Sequence, residues 1–112
     1  MVKEKSILTP HQKELNKIVK QIKEKYKPEK IILFGSFAWG KPEKGSDVDL
    51  LVVKNTKKDP LQRAYEIRKI IDPIFPFDIL VFNSQEIKKR LKMGDFFIEK
   101  IINQGKVLYE KK

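Results

Sequence analysis

The sequence predicts a small α+β domain in which helices pack on a mixed sheet of three or four strands. The chain has 112 residues, a length that suits a single domain over residues 1–112 with one modest core. Short apolar runs rich in β-branched residues alternate with longer amphipathic helical patterns. The prolines and glycines fall mostly between these segments, where turns are expected. Together these observations indicate helices packed on one sheet.

The first predicted helix begins at Thr9 and Pro10, because Thr is a good N-cap and Pro is favoured at the first helical position. An apolar stripe at helical spacing follows, made of Leu15, Ile18, Val19, Ile22 and Tyr26. Pro28 ends the pattern. The other faces are rich in Lys, so we expect the stripe to pack in the core.

Two strands are predicted on either side of a loop. The apolar run 31–34 is typical of a buried strand and is ended by Gly35. Residues 36–39 have room for one or two helical turns, and the Gly- and Pro-containing stretch that follows is typical of a loop. Residues 47–53 begin in alternation and end in a β-branched apolar run, which predicts the second strand.

A second helix is predicted after Asp59 and Pro60, which repeat the combination of N-cap and proline. Its predicted buried face consists of Leu61, Ala64, Ile67 and Ile71. Pro73 and Pro76 interrupt the chain, and residues 77–82 are predicted as the third strand.

The last third of the chain predicts two helices and a short strand. Asn83 and Glu86 have the spacing of a capping box and begin a helix through Leu91. Asp95 can cap the next helix, whose apolar side is predicted from Phe97, Ile98, Ile101 and Ile102. Residues 106–109 are predicted as a short final strand.

The chain is strongly basic, with 25 Lys and Arg residues against 15 Asp and Glu residues, a formal net charge of +10. Twenty-two of the basic residues are Lys and three are Arg. Arg is the side chain that best reads bases and binds phosphates bidentately. The composition therefore favours a solvating shell or a general attraction for anions, and direct nucleic-acid binding is not expected.

Composition also excludes several chemistries. Cys is absent and His11 is the single histidine, which excludes a disulfide scaffold, a Cys-based zinc site and a thiol nucleophile.

No apolar run exceeds four residues, far short of the roughly 20 that a membrane span needs. No apolar leader segment follows Met1. We therefore expect a cytoplasmic protein that does not associate with membranes.

The candidate chemistry begins with Asp47 and Asp49. Residues two apart on a strand point to one face, so two carboxylates would stand side by side at the start of the second strand. Such a pair repels itself unless a cation lies between its members. Carboxylate oxygens without His or Cys suit Mg²⁺, with Mn²⁺ as the alternative. A solvated strand end remains the simpler interpretation of this pair alone.

Two further features strengthen the metal interpretation. Asp78 lies near the start of the third strand, so three carboxylates converge if the second and third strands are neighbours. Gly35 and Ser36 follow the first strand directly, and the N–H groups of such a turn can bind an anion. A phosphate site beside a carboxylate–metal cluster predicts binding of a nucleoside triphosphate and phosphoryl or nucleotidyl transfer.

At this point the sequence resembles a known family. Leu-Phe-Gly-Ser-Phe-Ala-Trp-Gly at 33–40, followed by Asp-Val-Asp-Leu-Leu-Val at 47–52, is similar to the signature of the polymerase-β-like nucleotidyltransferase superfamily. The resemblance is greatest to its minimal nucleotidyltransferase (MNT) domains. It covers most of the chain, including Asp78 and the closing segment 102–109. It implies the polymerase-β-like nucleotidyltransferase fold.

The resemblance implies a role for each candidate residue. Asp47 and Asp49 would bind the metal ions that hold the triphosphate, and Asp78 would bind the catalytic metal and help to activate the acceptor hydroxyl. Gly35 and Ser36 would hold the β- and γ-phosphates. Family members commonly transfer AMP from ATP to a hydroxyl. Stand-alone MNT proteins are often antitoxins that modify a tyrosine of a HEPN-domain toxin.

One residue departs from the family pattern. Many relatives have a basic residue where this chain has Trp39. Trp39 either packs beneath the turn or offers an aromatic face to a base or a partner. If the usual basic residue touches phosphate, Lys41 or Lys44 would take over that role.

Three alternatives remain open at the level of sequence. The chain could neutralise its partner by binding alone, without catalysis. It could be a nucleic-acid-binding module that uses its Lys surface. It could also modify a small molecule, as antibiotic-modifying relatives do.

Overall fold

The computed structural model describes residues 10–39, 48–71 and 77–112. They form five α-helices and four strands: α1 (Pro10–Gln21), β1 (Lys30–Phe34), α2 (Ser36–Trp39), β2 (Val48–Val53), α3 (Pro60–Ile70), β3 (Phe77–Phe82), α4 (Ser84–Lys92), α5 (Phe96–Gln104) and β4 (Lys106–Glu110). A π-helical segment, Ile22–Tyr26, continues α1. The predicted α+β class and the fourth strand are confirmed. The predicted helix start at Thr9, the loop after Trp39 and the two prolines before β3 lie outside the described residues.

The four strands form one mixed sheet in the order β3-β2-β1-β4. β1 is antiparallel to both β2 and β4, whereas β2 and β3 are parallel. A parallel pair needs a crossover connection, and α3 lies in the chain between β2 and β3. The end of β1 therefore meets the beginnings of β2 and β3 at one edge of the sheet.

Each face of the sheet carries its own core, because alternate strand residues point to opposite sides. One core lies under α1, the π-helical segment and α3, and includes Ile18, Ile22, Ile31, Leu33, Leu50, Val52 and Ile67. The other core lies under α4 and α5, and includes Ile32, Phe34, Leu51, Val53, Ile87, Ile98 and Ile101. The sequence predicted helices with apolar sides packed on the sheet, but not which face of the sheet each helix covers.

The predicted buried face of α3 is wrong at one position. Leu61 is 84% exposed. The stripe that packs on the sheet runs through Arg63, Ile67 and Ile71, all of which are buried, at the four-residue spacing of one helix face. Leu61 lies outside that stripe. One of the buried positions is occupied by the charged residue Arg63, which a search for apolar residues alone does not identify.

Helices α4 and α5 are fixed at their ends by the residues that the sequence identified. Asn83 and Glu86 form a complete capping box, and Asp95 accepts hydrogen bonds from two backbone N–H groups at the start of α5. Gly105 follows α5, where a Cβ atom would lie 2.5 Å from the Ile101 carbonyl oxygen and 2.9 Å from that of Leu33. A glycine is therefore needed for α5 to approach β1 this closely.

In the described ranges, no helix has both the length and the apolar character required to cross a membrane.

Candidate functional site

The predicted site residues belong to three chain segments that meet at one edge of the sheet. Gly35 and Ser36 follow the end of β1, Asp49 is the second residue of β2, and Asp78 is the second residue of β3. Phe34 at the end of β1 pairs with Asp49, and Asp49 pairs in turn with Asp78. The sheet topology therefore brings four of the five predicted residues together. Asp47, the fifth, lies outside the described residues.

Gly35 and Asp49 are in close contact. A Cβ atom at residue 35 would lie 2.2 Å from Oδ2 and 3.1 Å from Cγ of Asp49. Gly35 also has a φ of +79°, in the left-handed region that glycine adopts without strain. The half-buried Asp49 carboxylate thus lies directly against the backbone of the turn, and only glycine fits there.

The turn at Gly35 continues directly into α2. The Gly35 carbonyl accepts hydrogen bonds from the N–H groups of Ala38 at 2.9 Å and Trp39 at 3.0 Å. Ser36 is the first residue of α2 and is half-buried. The first N–H groups of a helix are not used by its own hydrogen-bond ladder. The structure therefore places the Gly35 backbone beside the Asp49 carboxylate, and Ser36 is the next residue in the chain.

Asp78 lies in register with Asp49 on the neighbouring parallel strand. Paired residues on adjacent strands are separated by roughly 5 Å, and their side chains point to the same face. Here that is the face of α4 and α5, because Leu51 and Leu80, two residues further on, both pack in that core. Asp78 is exposed, so a second molecule can reach its carboxylate.

The donor set fits a hard divalent cation. Two carboxylates in register, one of them against a glycine turn, offer oxygen ligands of the kind that Mg²⁺ and Mn²⁺ prefer. No group of three His, Cys, Asp or Glu side chains lies together within residues 10–39, 48–71 and 77–112. The third predicted ligand, Asp47, is outside these ranges, so the three-carboxylate cluster stays a prediction.

An aromatic group borders the site. Trp39 packs against Phe34, with ring centroids 6.3 Å apart, and Phe97 meets the same Phe34 ring edge-on at 5.7 Å. The Lys100 ammonium lies 4.7 Å from the centre of the Trp39 ring, a cation–π distance. Trp39 packs against the end of β1 and is still 36% exposed.

Sequence analysis did not identify Lys100 or Phe97 as neighbours of the site. Phe97 was expected to line the buried side of α5, but it is 53% exposed. Lys100 lies one helical turn after Phe97, and its position over Trp39 follows only from the packing of α5 on β1. The alternatives named from sequence, Lys41 and Lys44, lie outside the described residues.

Two surface clefts lie at the opposite edge of the sheet. One, of about 370 Å³, is bounded by Lys30 and Val53. The other, of about 550 Å³, lies between Asn55 and Asn83. These positions are at the start of β1 and beyond the ends of β2 and β3. Neither cleft contains a predicted site residue.

Comparison with known proteins gives two findings. The family model described as "Polymerase beta, Nucleotidyltransferase" matches residues 16–112. Among solved structures, a protein from Sulfolobus solfataricus described as a candidate nucleotidyltransferase is similar, with a TM-score of 0.63 and 22% sequence identity. That similarity covers 88% of this chain and 79% of the other. No curated protein sequence matches the chain.

Proposed function

The chain belongs to the polymerase-β nucleotidyltransferase family, and from this premise we propose that it transfers AMP from ATP to a hydroxyl group of a partner protein. The acceptor we propose is a tyrosine of a HEPN-type toxin, with the chain acting as a cytoplasmic antitoxin. The observation that most directly supports nucleotidyl transfer is the in-register pair of Asp49 and Asp78 beside the Gly35 turn.

The proposed step is a substitution at the α-phosphorus. The acceptor oxygen forms a bond to phosphorus, the bond from phosphorus to the oxygen that bridges to the β-phosphate breaks, and pyrophosphate leaves. The acceptor hydroxyl proton moves to the carboxylate of Asp78, whose exposure supports access by an acceptor. Gly35 and Ser36 bind the β- and γ-phosphates through the turn N–H groups and the hydroxyl.

Asp47, Asp49 and Asp78 would hold one or two Mg²⁺ ions. When bound, Mg²⁺ supplies neutralisation of the triphosphate charge and favours ionisation of the acceptor hydroxyl. The close contact between Asp49 and Gly35 supports this assignment, because it fixes one ligand relative to the phosphate-binding turn.

Mass spectrometry tests the proposal. The chain is incubated with ATP, Mg²⁺ and the protein encoded by the neighbouring gene, and this partner should gain the mass of one AMP on a tyrosine. Asp49→Asn and Asp78→Asn should each lower the rate at least about 100-fold, since each removes one charged ligand. Glu110→Gln makes the same change at the opposite edge of the sheet and should leave the rate unchanged.

A partner that stays unmodified with ATP and with the other nucleoside triphosphates, in a chain that retains its fold, would contradict the enzymatic proposal. Modification of the partner by Asp49→Asn and Asp78→Asn at the wild-type rate would contradict the residue assignment.

Neutralisation by binding alone is the second candidate. It is favoured by the exposure of Met93 and Phe96, which are 73% and 82% exposed at the turn between α4 and α5. The Asp49→Asn/Asp78→Asn double variant separates the two candidates. If it still protects cells from the toxin, binding is sufficient; if protection is lost while the two proteins still associate, catalysis is required.

A further inference from the structure

Apolar side chains cluster in sequence around the turn that joins α4 to α5. Leu91, Met93, Phe96 and Phe97 are 38%, 73%, 82% and 53% exposed within the described part of the chain; we call these four residues the α4–α5 patch. Single exposed apolar residues are common on protein surfaces. Four such residues lie within seven positions, and contiguous exposed apolar surface of a few hundred Å² marks interaction sites.

The patch adjoins the candidate site through one of its members, Phe97. The Phe97 ring meets Phe34 edge-on at 5.7 Å, and Phe34 is the strand partner of Asp49. The Asp49 and Asp78 side chains point to the same face of the sheet as α4 and α5. A molecule bound to the patch would therefore lie beside the two carboxylates.

The size of the patch suits a macromolecular partner. A large apolar side chain offers about 200 Å², so the four exposed fractions correspond to roughly 500 Å². A standard protein interface buries about 800 Å² on each side and has an apolar centre with a polar rim. The α4–α5 patch could supply that centre.

The charges around the patch define the chemistry of the partner. Between residues 88 and 100 the chain has five basic side chains, Lys88, Lys89, Arg90, Lys92 and Lys100, against two acidic ones, Asp95 and Glu99. Arg90 is engaged by Asp95 at 3.1 Å and stacks on Phe82 at 4.8 Å. Lys88 lines the cleft beyond the ends of β2 and β3, whereas Lys89 lines a cleft together with Met93. Lys89, Lys92 and Lys100, each within three residues of a patch member in the chain, form a basic rim that attracts carboxylates.

We propose that the α4–α5 patch binds the acceptor protein through a segment that carries aromatic and acidic side chains. The proposal rests on the proposed function for the identity of the acceptor as a protein. It adds the surface that recognises this acceptor and presents its hydroxyl to Asp49 and Asp78.

Two other occupants fit the charges less well. A second copy would bring the same basic rim against itself in a two-fold interface, and each copy carries a net charge of +10. A nucleic acid would be attracted by the same Lys rim, but Arg90, the side chain there that could bind a phosphate bidentately, is already engaged by Asp95. Both remain outcomes that the experiment can detect.

The test uses the random copolymer poly(Glu,Tyr), a polymer that offers carboxylates, aromatic rings and hydroxyl groups. Its binding to the full chain is measured by fluorescence anisotropy without nucleotide or metal ion. Phe96→Asp should weaken binding at least about tenfold, the effect of removing an aromatic residue central to an interface. The basic rim predicts that wild-type binding also weakens as salt is raised.

Leu61→Asp is the matched control. Leu61 is as exposed as Phe96, and both residues lie in the first turn of a helix, where an added carboxylate is tolerated. Leu61 belongs to α3 on the other face of the sheet. The control should bind the copolymer within about twofold of the wild type.

Three results would overturn the proposal. The first is the absence of any difference in copolymer binding between Phe96→Asp and the wild type, which includes the case in which neither binds. The second is poly(U) binding that Phe96→Asp abolishes. The third is a wild-type dimer in sedimentation that Phe96→Asp converts to a monomer.

Because no nucleotide is present, the outcome is separate from that of the transfer assay. Copolymer binding that depends on Phe96, in a chain that transfers no AMP, would leave this inference standing and reject the enzymatic proposal. AMP transfer to the partner at equal rates by Phe96→Asp and wild type would support the enzymatic proposal and contradict this inference.

Discussion

At the scale of single residues, Gly35 determines where the Asp49 carboxylate can lie. Two properties coincide at this position: a φ of +79° and a space that a single methyl group would fill, 2.2 Å from Oδ2. Either property alone would explain why residue 35 is glycine. Only the lack of space next to Asp49 connects this glycine to the chemistry of the site. The mutational test must therefore separate displacement of Asp49 from backbone strain.

We predict that Gly35→Ala lowers kcat for nucleotidyl transfer by about 100-fold. The added Cβ must displace the Asp49 carboxylate, and a misplacement of about 1 Å at a reacting group costs a factor of this order. The substitution also strains the backbone by roughly 1 kcal/mol or more. Activity and the free energy of unfolding should be measured on the same preparation.

Gly94→Ala provides the control for backbone strain. Gly94 has nearly the same φ, +81°, but a Cβ atom added there would meet nothing within 4 Å. It should lose stability as Gly35→Ala does and keep its kcat. An equal loss of kcat in both variants would show that strain, not displacement of Asp49, causes the effect.

At the scale of elements, an ion pair between the buried Arg63 and the partly exposed Glu86 joins two helices and a strand. Arg63 of α3 is 3% exposed and donates to Glu86 of α4 at 2.7 Å and to the Val81 carbonyl of β3 at 3.2 Å. The hydrogen bond from Arg63 is the main cause that lowers the pKa of Glu86 from its ordinary 4.5, and the bond to Glu86 raises the pKa of Arg63. The pair thus anchors α3 and α4 to opposite faces of the edge strand β3.

We predict that Glu86→Gln lowers the free energy of unfolding by about 2 kcal/mol at pH 7, the typical contribution of a charged hydrogen bond. Gln keeps the capping box with Asn83, so the change isolates the charge. Because the folded pKa of Glu86 is lowered, its contribution is fully present above pH 4.5 and is lost as the pH falls through the folded value. The difference from wild type should therefore shrink in urea titrations below pH 4.5.

Glu110→Gln tests whether the burial of Arg63 is the reason for the stability loss expected in Glu86→Gln. Glu110 pairs with Lys30 at 3.5 Å, but its side chain is 61% exposed, and pairs of this kind contribute under about 1 kcal/mol. A larger loss in Glu110→Gln than in Glu86→Gln, or a Glu86→Gln effect that does not change with pH, would contradict this interpretation.

Local sequence patterns predicted some features of the helices and strands correctly and missed others. The strand 77–82, the capping box at Asn83 and the Asp95 cap are local signals, and the structure has them where they were predicted. The exposure of Leu61 was not predictable from apolar spacing, because the buried place on α3 belongs to Arg63, whose partner Glu86 is 23 residues away. The π-helical turn after α1 also had no signal in the pattern that predicted a continuous helix.

At the scale of the whole molecule, the site depends on how distant segments are joined. Sequence predicted the residues Gly35, Asp49 and Asp78, but their meeting required β2 and β3 to be neighbours in register. The parallel pairing across the α3 connection provides that register. The packing of Lys100 over Trp39 likewise joins segments about 60 residues apart, and no local pattern encodes it.

The change in thermal stability on binding a metal ion tests the assembled site without any assay of activity. We predict that Mn²⁺ at about 100 times its Kd stabilises the chain by about 2.7 kcal/mol, because the carboxylates converge only in the folded state. For a domain of this size the thermal midpoint should rise by roughly 10 °C. Asp78→Asn should lose most of this rise, because it removes one of the two ligands held in register, whereas Glu110→Gln at the opposite edge should retain it. A wild-type midpoint that Mn²⁺ does not move would contradict the metal site itself, and a full rise in Asp78→Asn would exclude Asp78 from it.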